Sequence, residues 1–72
     1  MTLELFASLA QAEPFIPYTL HLADGRTIGV GNPELVMIAG DSRSISVFEP
    51  DRATEYIDLA LVVSVRLEDP EL

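Results

Sequence analysis

Seventy-two residues limit this chain to one domain, and a domain of that size buries only about 60% of the surface its unfolded chain exposes. Cysteine is absent, which excludes disulfide staples, thiolate metal sites and cysteine-based redox chemistry. Twelve acidic residues against four arginines give a formal net charge of −8, which repels phosphate backbones and anionic membrane surfaces and suits a basic partner.

The chain opens with a helical signal. Thr2 is placed to cap a short helix running through about Ala12, with Glu4 in its first turn and Leu5, Phe6 and Leu9 on one face. Pro14 ends it, so that residues 1–13 form the helix and 14–72 the remainder of a single domain. The stretch EPFIP then carries Phe15 and Ile16 between two prolines as an extended lead-in whose apolar side chains plug the sheet.

Tyr18 to Val30, YTLHLADGRTIGV, reads as two half-buried strands over an Asp-Gly turn. Tyr18, Leu20 and Leu22 share one face of the first strand, and Ile28 and Val30 share one face of the second. A two-residue loop would set Leu22 opposite Thr27 and bring apolar against polar faces. A three-residue loop of Ala23, Asp24 and Gly25, a type I turn with Gly25 left-handed in a bulge, pairs Leu20 with Ile28 and Tyr18 with Val30. Gly25 supplies the positive φ there, and Asp24 orients the turn backbone.

Gly31, Asn32 and Pro33 break the second strand, after which Glu34 to Ala39, ELVMIA, is apolar enough for a strand buried on both sides. GDSR turns into Ser44–Glu49, whose Ile45 and Val47 alternate with serines. Pro50, Asp51 and Arg52 turn again before Glu55 to Asp58, and Val63, Val65 and Leu67 alternate with polar residues in the last strand. Leu59 to Val62 suits a single helical turn between the two. One helix and five short strands predict a mainly β fold, a strongly bent antiparallel sheet or a small barrel. Ser44–Glu49 and Val62–Leu67 are the expected edges, since neither carries an inward charge or a proline.

Two resemblances follow from these residues. Pro14 to Ile38, PFIPYTLHLADGRTIGVGNPELVMI, is similar to the pattern P-F-x-P-F-x-L-x-L-x-D-G-R-x-x-x-V-x-H-P-E of a family of short, uncharacterised bacterial proteins. Tyr18 stands where that pattern commonly has phenylalanine and Asn32 where it often has histidine, so no role of that histidine carries over. Leu22, Asp24, Gly25, Arg26, Ile28 and Gly29 also resemble the first motif of Sm-like proteins, which implies an Sm-like or SH3-like barrel. The RNA site typical of Sm-like proteins is not matched: Asn32 falls too early, and Arg66 is followed by Leu67 where that site has a basic-Gly pair.

No catalytic, cofactor-binding or metal-ligating residue is expected. His21, the one histidine, lies on the polar face of its strand beside Thr19 and Ala23, with no partner that spacing reveals. Asp24 and Arg26 are explained by the turn, and Asp41, Asp51, Glu55 and Asp58 lack the spacing of a calcium loop. Met37, Phe48 and Tyr56 are expected in the core or in a subunit contact. Apolar residues make up 49% of the chain, roughly 54% with glycine, above the usual share and more than so small an interior hides. The expected function is therefore a non-enzymatic, self-associating interaction module, homo-oligomeric through sheet edges and open to a basic protein partner. An Sm-like RNA-binding protein, and a small ligand-binding protein or hydrolase built on His21, are the alternatives. With no basic leader and no stretch of about 18 apolar residues, a soluble cytoplasmic protein is expected.

Overall fold

The computed structural model describes residues 1–49 and 53–68. Helix α1 spans Leu3–Ala10, shorter than the sequence suggests, and Gln11 closes it by donating its backbone N–H to Ala7 O. Thr2 caps it as expected, its Oγ1 accepting from the Leu5 N–H at 3.1 Å. Of the three residues assigned to its apolar face, Phe6 alone is fully buried, while Leu5 is exposed and Leu9 half-buried.

Six strands follow: β1 (Tyr18–Leu22), β2 (Thr27–Val30), β3 (Val36–Ile38), β4 (Ser44–Val47), β5 (Glu55–Asp58) and β6 (Val62–Leu67). They form two antiparallel three-stranded sheets, ordered β2-β1-β6 and β3-β4-β5, and no closed barrel is present among the described residues. Six strands are observed where five were expected, each matching a segment read from the sequence, and two 3₁₀ turns separate β2 from β3 and β5 from β6. The first, Pro33–Leu35, is capped by Asn32, whose Oδ1 accepts from the Glu34 N–H at 2.9 Å. The second, Leu59–Leu61, is the helical turn expected there, and Asp58 caps it by accepting from the Ala60 N–H at 2.8 Å.

The hairpin register is the one argued from side-chain facing: Leu20 lies opposite Ile28 and Tyr18 opposite Val30. Gly25 N–H donates to Leu22 O at 3.0 Å, Leu22 N–H donates to Arg26 O at 2.9 Å, and Gly25 has a φ of +92°. These are the marks of a type I turn with a glycine bulge.

Beyond the division of the single expected sheet into two, further expectations are corrected. The segment ELVMIA is not a strand buried on both sides, because the first 3₁₀ turn consumes its start and leaves β3 only three residues long, with Val36 buried and Met37 and Ile38 exposed. The strand begun at Ser44 is not an edge; β4 lies between β3 and β5. Of the two places expected for Met37, Phe48 and Tyr56, the core is excluded, since all three are exposed, with Met37 and Tyr56 both opposite Ser46 on the outer face of that sheet. The turn expected at Pro50, Asp51 and Arg52 lies outside the described residues.

One core joins the parts. Phe6 of α1 shares it with Tyr18, Leu20, Leu22, Ile28, Val30 and Val62 of the first sheet, Val36, Ile45, Val47 and Ile57 of the second, and Leu59 of the second 3₁₀ turn. Phe15 of the proline-flanked lead-in packs against this cluster, its ring centroid 5.8 Å from that of Tyr18. All these side chains are apolar but for one hydroxyl, so burial of hydrocarbon supplies the main stabilisation, roughly 1.5–3 kcal/mol for each fully buried large side chain.

Candidate functional site

The most distinctive surface is the free edge of β6. The strand pairs with β1 on one side, Tyr18 opposite Leu67 and Leu20 opposite Val65, and has no strand on its other side among the described residues. The ladder shifts between His21 and Leu22, where the Val62–Val63 doublet supplies the extra residue of a bulge. Val62 is thereby kept in the core while Val63 stands 64% exposed.

Val65 and Leu67 occupy inner-face positions, because they sit opposite the core residues Leu20 and Tyr18, yet helix α1 covers them incompletely. A groove of about 320 Å³ opens there between helix and strand, lined by Leu5 and Leu9 on one wall and Val63, Val65 and Leu67 on the other. Met1 closes one end, its backbone nitrogen donating to Leu59 O at 3.0 Å and Val62 O at 3.2 Å. Leu5 and Leu67 remain 52% and 42% exposed, so apolar side chains that the fold made available to its core still face water.

Comparison of the chain with models of known protein families, with curated proteins and with solved structures finds no match. The functional reading therefore rests on the geometry.

The polar residues singled out from sequence serve turns. Asp24 Oδ1 accepts from the Arg26 N–H at 3.0 Å, Asp41 Oδ1 from the Arg43 and Ser44 N–H groups at 2.9 and 3.0 Å, and Asp58 from Ala60. Each carboxylate caps the backbone two residues on, the habit of aspartate in tight turns. Those backbone donors hold the Asp24 and Asp41 carboxyls below the usual carboxylate range, with the Arg26 and Arg43 charges adding to the effect. His21 sits opposite Thr27 and Ser64 on the outer face of the first sheet. Among the described residues no group of three or more His, Cys, Asp or Glu side chains could hold a metal, and Asp51 lies outside those residues.

The arginines are largely spoken for. Arg26 pairs with Asp24 and Glu55, each at 2.8 Å, and Arg43 lies 3.7 Å from Asp58. Arg66 lies opposite Thr19 on the outer face of the first sheet, and Arg52 lies outside the described residues. Among the described residues, no helix is long and apolar enough to cross a membrane.

Sequence reasoning found β6 as an edge and missed its groove. The signal was the Val62–Val63 doublet, which breaks strict alternation and marks the bulge.

Proposed function

We propose that this chain is a non-enzymatic protein-interaction module that self-associates through the free edge of β6, its two sheets serving as the halves of an open, Sm-like or SH3-like barrel. The observation that carries the reading is the coincidence, on one strand, of an edge with no strand beside it among the described residues and an apolar groove. Unpaired backbone groups recruit a further strand, and incompletely covered apolar side chains drive association once that strand is in place. The likeness to small barrels rests on element order: a helix, a hairpin, a broken second strand and a 3₁₀ turn before the last strand.

Nucleic-acid binding is the poorer reading. A net charge of −8 on each subunit would have to be overcome by clustered arginines, and two of the four are held in ion pairs with carboxylates.

Light scattering on the purified protein at micromolar concentration tests the proposal. A mass above 7.9 kDa that rises with concentration is expected. Because the subunits carry like charge, added salt should tighten association by screening their repulsion. A 7.9 kDa species with no concentration dependence overturns the reading.

A further inference from the structure

We propose that the partner of β6 is β6 of a second copy, antiparallel, with the two-fold axis passing at Val65. This deepens the self-association reading and rests on it.

The direction of the backbone groups comes first. Glu68 N–H donates to Pro17 O at 2.7 Å, which makes Pro17 and Glu68 a hydrogen-bonded pair of the β1–β6 ladder. Bonded and non-bonded pairs alternate in an antiparallel ladder, so Arg66 and Ser64 also turn their backbone groups toward β1. Val65 and Leu67 turn theirs outward. These are the inner-face residues, so β6 turns toward its open side the backbone groups of the positions whose apolar side chains the groove leaves uncovered.

Other edges do not match. Leu59 N–H donates to Arg43 O at 2.9 Å, and by the same alternation Tyr56 and Asp58 carry the outward groups of β5. Both side chains lie on the outer face. Directly opposed residues of an antiparallel pair share a face, so joining β6 to β5 of another copy would set Tyr56 and Asp58 against Leu67 and Val65 and press a carboxylate onto valine. On β2, Leu22 N–H donating to Arg26 O makes Thr27 and Gly29 the outward residues, with the same mismatch of faces. β3 turns inner-face residues outward but is only three residues long. The six residues of β6 match themselves.

Register follows from chemistry. An axis at Arg66 would oppose two guanidinium groups, and one at Ser64 would set Arg66 against Val62 of the other copy. An axis at Val65 pairs Val65 with its equivalent, Val63 with Leu67 and Ser64 with Arg66. Every uncovered apolar residue of the strand then meets another, and the two sheets fuse into one of six strands, β2-β1-β6 followed by its symmetry copy in reverse order.

The absence of cysteine makes the test direct. Single variants Ser64→Cys, Val65→Cys and Arg66→Cys are oxidised mildly and resolved on non-reducing gels, with light scattering on each reduced variant. In a hydrogen-bonded pair the Cα atoms lie about 5.5 Å apart, within disulfide reach. Val65→Cys is expected to link into covalent dimers while the other two remain largely unlinked. Equal or faster linking by Ser64→Cys or Arg66→Cys overturns the register, and association with no linking at any of the three overturns the β6–β6 pair while leaving self-association standing. A monomeric wild type fails the parent reading instead. As a second arm, Val63→Lys and Leu67→Glu should each weaken association about tenfold or more, and the double variant should recover it, since those residues face one another across the axis. A double variant as weak as the worse single one overturns the proposal.

Discussion

The guanidinium of Arg26 joins the two sheets, its Nη1 2.8 Å from Glu55 Oε2 while its Nε holds Asp24 Oδ2 at 2.8 Å. Arg26 precedes β2 in one sheet and Glu55 opens β5 in the other, so a residue read from sequence as a turn arginine also ties the halves of the core at their rim. The two carboxylates raise the Arg26 pKa further above its ordinary value, the Glu55 hydrogen bond contributing most. All three groups are substantially exposed, and exposed pairs are weak and sensitive to salt. Glu55→Gln should therefore lower the thermal midpoint slightly at low ionic strength and not measurably at about 0.5 M salt. A loss that persists undiminished at high salt would show that Glu55 acts through packing rather than charge.

Gly25 is the residue on which the hairpin register turns. With φ at +92° and no atom within 4 Å of an added Cβ, the cost of a side chain there is conformational alone. Gly25→Ala should destabilise by about 1 kcal/mol, and Gly25→Asn by less, because asparagine tolerates the left-handed region. Denaturant midpoints of the pair measure this; equal stability of Gly25→Ala and wild type would contradict the bulged turn.

The hairpin was legible because every signal for it is local. Alternation fixes which side chains of Tyr18–Leu22 face inward, and one glycine fixes the loop. The edges were harder, since β6 is an edge only because it closes against β1, bringing Leu67 opposite Tyr18 across most of the chain. Ser44–Val47 carries the same alternation as an edge strand but gains β3 on one side and β5 on the other. In ELVMIA, apolar composition outweighed the capping chemistry of Asn32 and Pro33, which takes the first residues into a 3₁₀ turn and leaves Met37 and Ile38 uncovered. The groove was not legible at all, because it depends on how far helix α1 reaches across β6.

Phe6 is the helix's one fully buried side chain, in contact with a core drawn from both sheets. Phe6→Ala should cost about 3–5 kcal/mol. A chain of 72 residues has a total of only about 4–11 kcal/mol to lose, so the variant should forfeit between about a quarter and all of its stability. Circular dichroism checks this, and a cooperative fold of near-normal stability would mean the helix is dispensable to the core.

Acid should weaken the fold through its turns. The Asp41 carboxyl is held below its ordinary 3.8, chiefly by the backbone hydrogen bond from Arg43, and Asp24 likewise by that from Arg26. A carboxylate whose folded pKa is depressed contributes stability that is present above its unfolded pKa and lost as pH falls through the folded value. Asp41→Asn should be less stable than wild type at neutral pH and lose less on titration from about pH 5 to 2. Urea midpoints across that range give the comparison; parallel curves would mean that Asp41 contributes through shape alone.

Tyr18 carries the one buried side-chain polar atom that has no hydrogen-bond partner among the described residues. Its residue is 1% exposed, with the Phe15 ring against it, and burial pushes its pKa from 10.0 up to about 12. Both folded and unfolded chains keep the phenol largely neutral below about pH 9, so the shift has little effect there. Between about pH 10 and 12 the unfolded chain releases the proton while the folded one retains it, and stability falls as pH rises. Tyr18→Phe removes both the orphaned hydroxyl and the titration. It should match or exceed wild type by about 1 kcal/mol at pH 7, since an unsatisfied buried donor is unfavourable, and its advantage should widen through the alkaline window. Guanidinium unfolding at neutral and alkaline pH tests both halves. A Tyr18→Phe variant less stable than wild type at pH 7 would contradict the reading of the hydroxyl as an unsatisfied group.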